Sequence, residues 1–170
     1  MLLCSFLVFQ NCSSQQSQSS IAAPISLNPQ DFVFNAQRAN PVSYDAIKMA
    51  NSLPGGNSAR ILDLNGSNYT LSVKDNTLEA VLPYFGRLFN VSYDQDKNSY
   101  RFTSKDFTTK TSEGKRGKKI LIIQTKDVDY VYEIVIESYP NGKAYLSIKG
   151  NDRQPISYDG YITKNPENEK

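Results

Sequence analysis

Two short stretches of this chain concentrate side chains that bind or react. LPYFGR (82–87) puts Tyr84, Phe85 and Arg87 around Gly86, and NDRQPISYDG (151–160) supplies Arg153, Gln154, Tyr158 and Asp159. An arginine fork holds a carboxylate or phosphate bidentately, aromatic rings line apolar pockets, and glycine lets a ligand approach the backbone. Tyr84, Arg87, Arg153, Gln154 and Tyr158 are therefore the candidate ligand contacts. Each stretch also has a structural reading, which the pattern favours. The aromatics of LPYFGR would fill the core at a strand end or bulge, and Arg153 and Gln154 would satisfy backbone groups at a barrel rim.

Three further constellations carry less. In YDQDKNSY, Asp94, Asp96 and Asn98 match the first half of a calcium loop by spacing. Ser99 then replaces the required glycine and Lys105 the closing glutamate, so a solvated turn is the expectation. EGKRGKK (113–119) places Lys115, Arg116, Lys118 and Lys119 together. Such a group attracts anionic headgroups or simply protects a sheet edge, and the second reading is preferred. Glu133 and Glu137 share one face of a strand, but four residues at strand rise separate them by about 13 Å, more than the roughly 5–9.5 Å of a glycosidase pair. Asp127 and Asp129 lie in an expected turn. No acid/base pair is assigned, and neither a metal nor a cofactor.

Composition narrows the chemistry further. Among 170 residues there is no histidine, which removes the usual general base for a serine or cysteine nucleophile. Both cysteines, Cys4 and Cys12, fall in the first twelve residues. The body thus holds no thiol, disulfide or Cys/His zinc site. The formal charge of +2 is too balanced for a nucleic-acid partner.

The first charged residue is Asp31, and the chain opens MLLCSFLVFQNCSSQQSQSS. The apolar run has about the length of a secretory h-region and about half that of a membrane-spanning helix. Followed by Cys12 and a serine/glutamine stretch, it resembles a bacterial lipoprotein precursor. That layout implies cleavage before Cys12, lipid on its sulfur, and acyl chains worth roughly 0.8 kcal/mol per buried methylene. Asn11 in place of a small residue, and the lack of Lys or Arg before the run, depart from it. A Cys4–Cys12 disulfide, secretion with a cut near Ala22 or Ala23, and an ordinary buried strand are the alternatives. Lipid attachment at Cys12 is preferred among them.

The elements that must position these residues read as strands. DFVFNAQ alternates Phe32, Phe34 and Ala36 against Val33, Asn35 and Gln37. SYDAIKMANSL (43–53) forms a short helix capped by Ser43 and ended by PGGNS. ARILDL, NYTLSV and TLEAVLPYFGRL follow as strands around Asn65-Gly66 and Asp75-Asn76 hairpin signals; TLEAVL alone also reads as helix, but Pro83 within the segment and the strands on both sides favour an extended edge. KKILIIQTK, apolar on both faces, looks central. YVYEIVIES sets Tyr130, Tyr132, Ile134 and Ile136 against Val131, Glu133, Val135 and Glu137. YPNGKAYLSIKG and ISYDGYI close the series. The fold class is all-β: an antiparallel meander of about nine or ten short strands forming a barrel or sandwich. The organisation is a signal segment 1–11, a tether 12–29, a single β domain 30–164 and a polar tail 165–170.

LPYFGRL (82–88), PNGKAYLSI (140–148) and NDRQPISYDGYI (151–162), preceded by DFVFNAQRANP (31–41), together resemble the domain of unknown function 4251 family of Bacteroidetes envelope proteins. The insert around 43–57 and Pro155 depart from its pattern. The resemblance implies an antiparallel β domain at the envelope and assigns no catalytic residues. Three functions follow in order: a non-enzymatic, envelope-anchored monomer binding a small molecule, glycan, lipid or protein; an interaction protein without a pocket; a histidine-free carboxylate hydrolase. An apolar cavity would favour the first and a filled core the second.

Overall fold

The computed structural model describes residues 27–52, 54–89 and 98–165. Among the described residues nine strands form one sheet: β1 (Phe32–Pro41), β2 (Thr70–Lys74), β3 (Thr77–Pro83), β4 (Ser99–Ser104), β5 (Phe107–Glu113), β6 (Lys119–Thr125), β7 (Val131–Ser138), β8 (Lys143–Gly150) and β9 (Ile156–Thr163). Two short helices, α1 (Tyr44–Ser52) and α2 (Ser58–Ile61), lie between β1 and β2. The spatial order is β4-β3-β2-β1-β9-β8-β7-β6-β5 and every pairing is antiparallel. The result is the expected all-β meander, as a nearly closed barrel.

Strand polarity shows how the barrel closes. Counting alternations outward from β1 in both directions makes β4 and β5 run the same way. Only Lys105 and Asp106 join them, whereas parallel strands side by side need a crossover of about a dozen residues. β4 and β5 are therefore two halves of one bent stave, pairing with β3 on one side and β6 on the other. Eight staves result, the number whose interior side chains just fill.

The bend is fixed by Asp127 of the β6–β7 turn. Its carboxylate accepts hydrogen bonds from the Ser104 hydroxyl and from the Lys105 and Asp106 backbone N–H groups, the last two at 2.8 and 3.1 Å. The Ser104 bond first, and the backbone donors after it, hold the Asp127 carboxyl down at about 2.

Period-two burial puts Phe32, Phe34, Leu71, Val73, Leu78 and Leu82 inside, with Leu121, Ile123, Ile134, Ile136, Leu146 and Ile148 from the other half. Gly160 marks the tightest approach. A Cβ there would stand 2.1 Å from the Asn35 carbonyl oxygen and 2.8 Å from the Phe34 ring. Asp75 and Asn76 both take left-handed φ, 48° and 58°, as a two-residue hairpin of the twist-compatible type requires.

Four expectations change. ARILDL is no strand: Asn57 accepts from the Ala59 N–H at 2.9 Å and starts α2, after which only Asp63 bridges Arg38 of β1. Of TLEAVLPYFGRL only TLEAVLP is strand, β3, paired on both sides instead of forming an edge, because Pro83 falls at its last position. β6 stands next to the bent stave rather than centrally; Leu121 and Ile123 are buried, Ile120 and Ile122 half-buried on the outer face. In β7 a bulge between Val131 and Glu133 shifts the phase, so Val131 joins Ile134 and Ile136 inside while Tyr132 is exposed.

Candidate functional site

One end of the barrel carries the connections β1–β2, β3–β4, β6–β7 and β8–β9, and here the two sequence stretches meet. Leu88 bridges Arg153; Phe89 N–H donates to the Asp152 carbonyl at 2.7 Å and Gln154 N–H to the Arg87 carbonyl at 3.0 Å. Loop 84–89 is thus laid as a short ribbon on loop 151–155. The Tyr84 hydroxyl lies 2.9 Å from the Arg87 carbonyl oxygen and 3.0 Å from that of Gln154. To reach them the ring folds back over Gly86, where a Cβ would come within 2.3 Å of the hydroxyl. The glycine of LPYFGR therefore makes room for its own tyrosine.

Beneath the ribbon sits Arg153, only 1% exposed. Its Nε and Nη2 donate to the two Asp152 carboxylate oxygens at 2.8 and 2.9 Å, and Nη1 donates to the Ser99 carbonyl at 3.2 Å. The guanidinium carbon lies 5.1, 4.9 and 5.2 Å from the ring centroids of Tyr84, Tyr100 and Tyr130, within cation–π range of all three. Tyr84 and Tyr100 meet edge to face at 5.7 Å. Tyr158, fully buried, donates its hydroxyl to the Pro83 carbonyl at 2.6 Å. Tyr130 donates to the Arg101 carbonyl at 3.1 Å, which ties the β6–β7 turn to β4.

Burial sets the electrostatics. It pushes the Tyr84 hydroxyl up to about 12 against the opposing pull of Arg153, and raises Tyr100, Tyr130 and Tyr158 in the same direction. For Arg153 burial works to lower the pKa, but the hydrogen bond and charge of Asp152 outweigh it and the net shift is upward. All four phenols stay protonated and Arg153 stays charged at neutral pH. The cluster can hold charge and donate hydrogen bonds, but its tyrosines are poor bases there.

Of the expected contacts, Tyr84, Arg153, Gln154 and Tyr158 converge here, while the exposed Arg87 takes part through its backbone. Tyr100, Tyr130, Asp152 and Ser99 were not singled out from sequence. Asp152 had a local signal, standing beside Arg153 in NDRQ; Tyr100 and Tyr130 had only their alternation with polar neighbours. Two polar atoms in the cluster, the Tyr100 hydroxyl and Gln154 Oε1, are buried with no hydrogen-bond partner among the described residues.

Glu133 and Glu137, the pair weighed for acid/base work, lie elsewhere. Glu133 pairs with Lys149 at 2.7 Å, and Glu137 with Lys118 at 3.0 Å and the Tyr139 hydroxyl at 2.7 Å. The Tyr139 bond, followed by Lys118, lowers the Glu137 pKa against burial. Among the described residues no group of three Asp, Glu, Cys or His gathers as metal ligands, and no helix is long and apolar enough to cross a membrane. Cys12, Asp94 and Asp96 lie outside the described residues.

No curated protein matches the chain. Among solved structures it is similar to the crystal structure of a DUF4251 family protein from Bacteroides eggerthii, at 18% identity and a TM-score of 0.39, over 79% of this chain and 80% of that one. The family model described as "Domain of unknown function (DUF4251)" matches residues 14–162, and the chain belongs to that family.

Proposed function

We propose that this chain is a non-enzymatic module of the bacterial envelope, held at a membrane by lipid on Cys12 and engaging a protein partner through its outer surface. The observation that carries the reading is the filled interior. Phe34, Leu71, Leu78, Tyr100, Ile134 and Leu146 are each 0% exposed, and Arg153 with its tyrosines stops the end at which a small barrel would admit a ligand. Grooves of about 450, 410 and 320 Å³ lie along sheet edges and are lined by mixed polar and apolar side chains. Binding sites for small molecules are more enclosed and more apolar.

A second reading keeps Tyr84, Arg87, Arg153, Gln154 and Tyr158 as a ligand mouth. It is favoured by the buried, unpartnered Tyr100 hydroxyl and Gln154 Oε1, which a ligand group would satisfy. Titration of the Cys12→Ala chain with palmitate and with a glucose oligomer, followed by melting temperature and native mass, separates the two. No saturable complex is expected. A stoichiometric complex weakened by Arg153→Lys overturns the filled-barrel reading in favour of the second. The anchor is read independently by intact mass and detergent partitioning of native protein beside Cys12→Ala; wild-type chain that stays aqueous and unmodified refutes it.

A further inference from the structure

We infer that the opposite end of the barrel is the face that lies on an anionic lipid surface, with the β5–β6 hairpin as its electrostatic contact. The inference deepens the membrane address proposed above and rests on it. That end carries the hairpins β2–β3, β5–β6 and β7–β8 together with the entry and exit of the described chain at Leu27 and Asn165. Val33 pairs with Thr163, and Asn165 donates to the Asp31 carboxylate and to the Val73 carbonyl, so both chain ends are fastened there.

Beside them stands the basic hairpin. Lys115, Arg116 and Lys119 are exposed. Arg116 and Gly117 take left-handed φ of 61° and 73°, and Gly117 packs toward Pro140 of the β7–β8 turn. That turn adds Lys143, and the partly exposed Tyr139 (39%) and Tyr161 (40%) flank it. The acids of this end are Asp31, Asp75, Glu113 and Glu137, of which Asp31 is held by Asn165, Glu137 by Lys118 and Tyr139, and Glu113 stands opposite Lys119 in the β5–β6 ladder. Exposed cations flanked by tyrosines, whose rings favour the headgroup layer, are the chemistry of a peripheral contact with anionic lipid. The far end is closer to balance: its exposed cations Arg38, Lys48, Arg60, Arg87, Arg101, Lys105 and Lys126 are interspersed with Asp45, Asp63, Asp106, Asp127, Asp129 and Asp152.

Position supplies the second argument. Leu27 lines a groove with Thr111, Glu113, Lys119 and Ile120, so the described chain begins against the basic hairpin itself. Fourteen residues lie between Cys12 and Leu27, a span of at most roughly 50 Å. A lipid on Cys12 would lead the chain into the barrel at this end; since a tether of that length also spans the height of eight-residue strands, the basic hairpin is what would hold this end, rather than the Arg153 end, at the bilayer.

The test uses unlipidated Cys12→Ala chain and sedimentation with vesicles of phosphatidylcholine, alone or with about one third phosphatidylglycerol. Preferential binding to the anionic vesicles is expected, and it should weaken as salt shortens the screening length from about 10 Å at 0.1 M. At about 1 kcal/mol per cation, replacing Lys115, Arg116 and Lys119 by Gln should lower the partition coefficient on the order of 100-fold. The matched triple Arg60→Gln, Arg101→Gln, Lys126→Gln should change it less than threefold. Equal binding to both vesicle types, or equal losses in the two triples, overturns the inference. So does tighter binding to an anionic polymer such as heparin than to the vesicles. Detergent partitioning of native protein reads the anchor alone, so an anchored chain whose hairpin ignores anionic lipid refutes this inference and leaves the anchor standing.

Discussion

Replacing Arg153 distinguishes a structural pin from a ligand contact, because the two roles move stability in opposite directions. The side chain is 1% exposed, and its donors reach both Asp152 oxygens and the Ser99 carbonyl. Arg153→Leu keeps comparable bulk but deletes the charge. Three rings at 4.9–5.2 Å contribute about 1 kcal/mol each to a desolvated cation. The lost bond to Ser99 leaves a carbonyl to find another donor, at about 1 kcal/mol. Asp152 keeps 29% of its side chain in water and is rehydrated, so its share stays below the roughly 3–5 kcal/mol of a fully buried broken pair. The sum is about 4 kcal/mol, a drop of roughly 10 °C or more in Tm for a domain of this size. Arg153→Lys retains charge without the planar fork and should lose about 2 kcal/mol. Urea denaturation followed by circular dichroism reads both through the midpoint at constant slope; if the Leu variant does not fold, the Lys variant carries the measurement. Binding residues are commonly held at a cost to stability. Variants as stable as wild type, or more so, would refute the pin.

Three other outcomes follow from the same geometry. Tyr100→Phe removes a buried hydroxyl that has no partner among the described residues, so stability should be unchanged or rise by about 1 kcal/mol, and a loss above that by thermal melt shows a partner. Gly160→Ala puts a methyl against the Asn35 carbonyl and the Phe34 ring and should cost about 3 kcal/mol by overpacking; the urea midpoint of the variant checks this, and a midpoint equal to wild type refutes the close approach. The folded Asp127 carboxyl, held at about 2, lies below the roughly 3.9 of a free aspartate. Its contribution is present above the unfolded pKa and is lost as pH falls through the folded one. Acid titration of stability between pH 4 and pH 2, a window set by that shift, should be flatter in Asp127→Asn, and identical slopes would refute the knot at the bend.

Most of the barrel was legible because period-two alternation and short turns are local signals. Phe32, Phe34 and Ala36 face inward as their spacing requires, and Asp75-Asn76 turns the chain where two left-handed residues are needed. The failures are non-local. Nothing in YVYEIVIES announces that Tyr132 is the bulged residue, since the bulge is set by the register between β7 and β8. ARILDL lost to a single cap at Asn57. Within the cluster, Arg153 and Tyr84 stood out by type, but the rings that complete the cage come from β4 and the β6–β7 turn. Only closure of the barrel brings Tyr100 and Tyr130 to the same guanidinium.

Stave parity decides how the two ends divide their work. With nine independent staves in sequential order, β1 and β9 would run parallel, and the chain would enter at one end of the barrel and leave at the other. Because β4 and β5 form one bent stave, the number is even and β9 returns antiparallel to β1, as the pairing of Val33 with Thr163 records. Both chain ends are then forced onto the end of the β5–β6 and β7–β8 hairpins, and Arg153, in the β8–β9 connection, onto the other. The Asp127 knot at Lys105–Asp106 is therefore more than a local turn. By holding the bend it sets the parity, and through the parity it puts the β5–β6 and β7–β8 hairpins on the end where β1 begins.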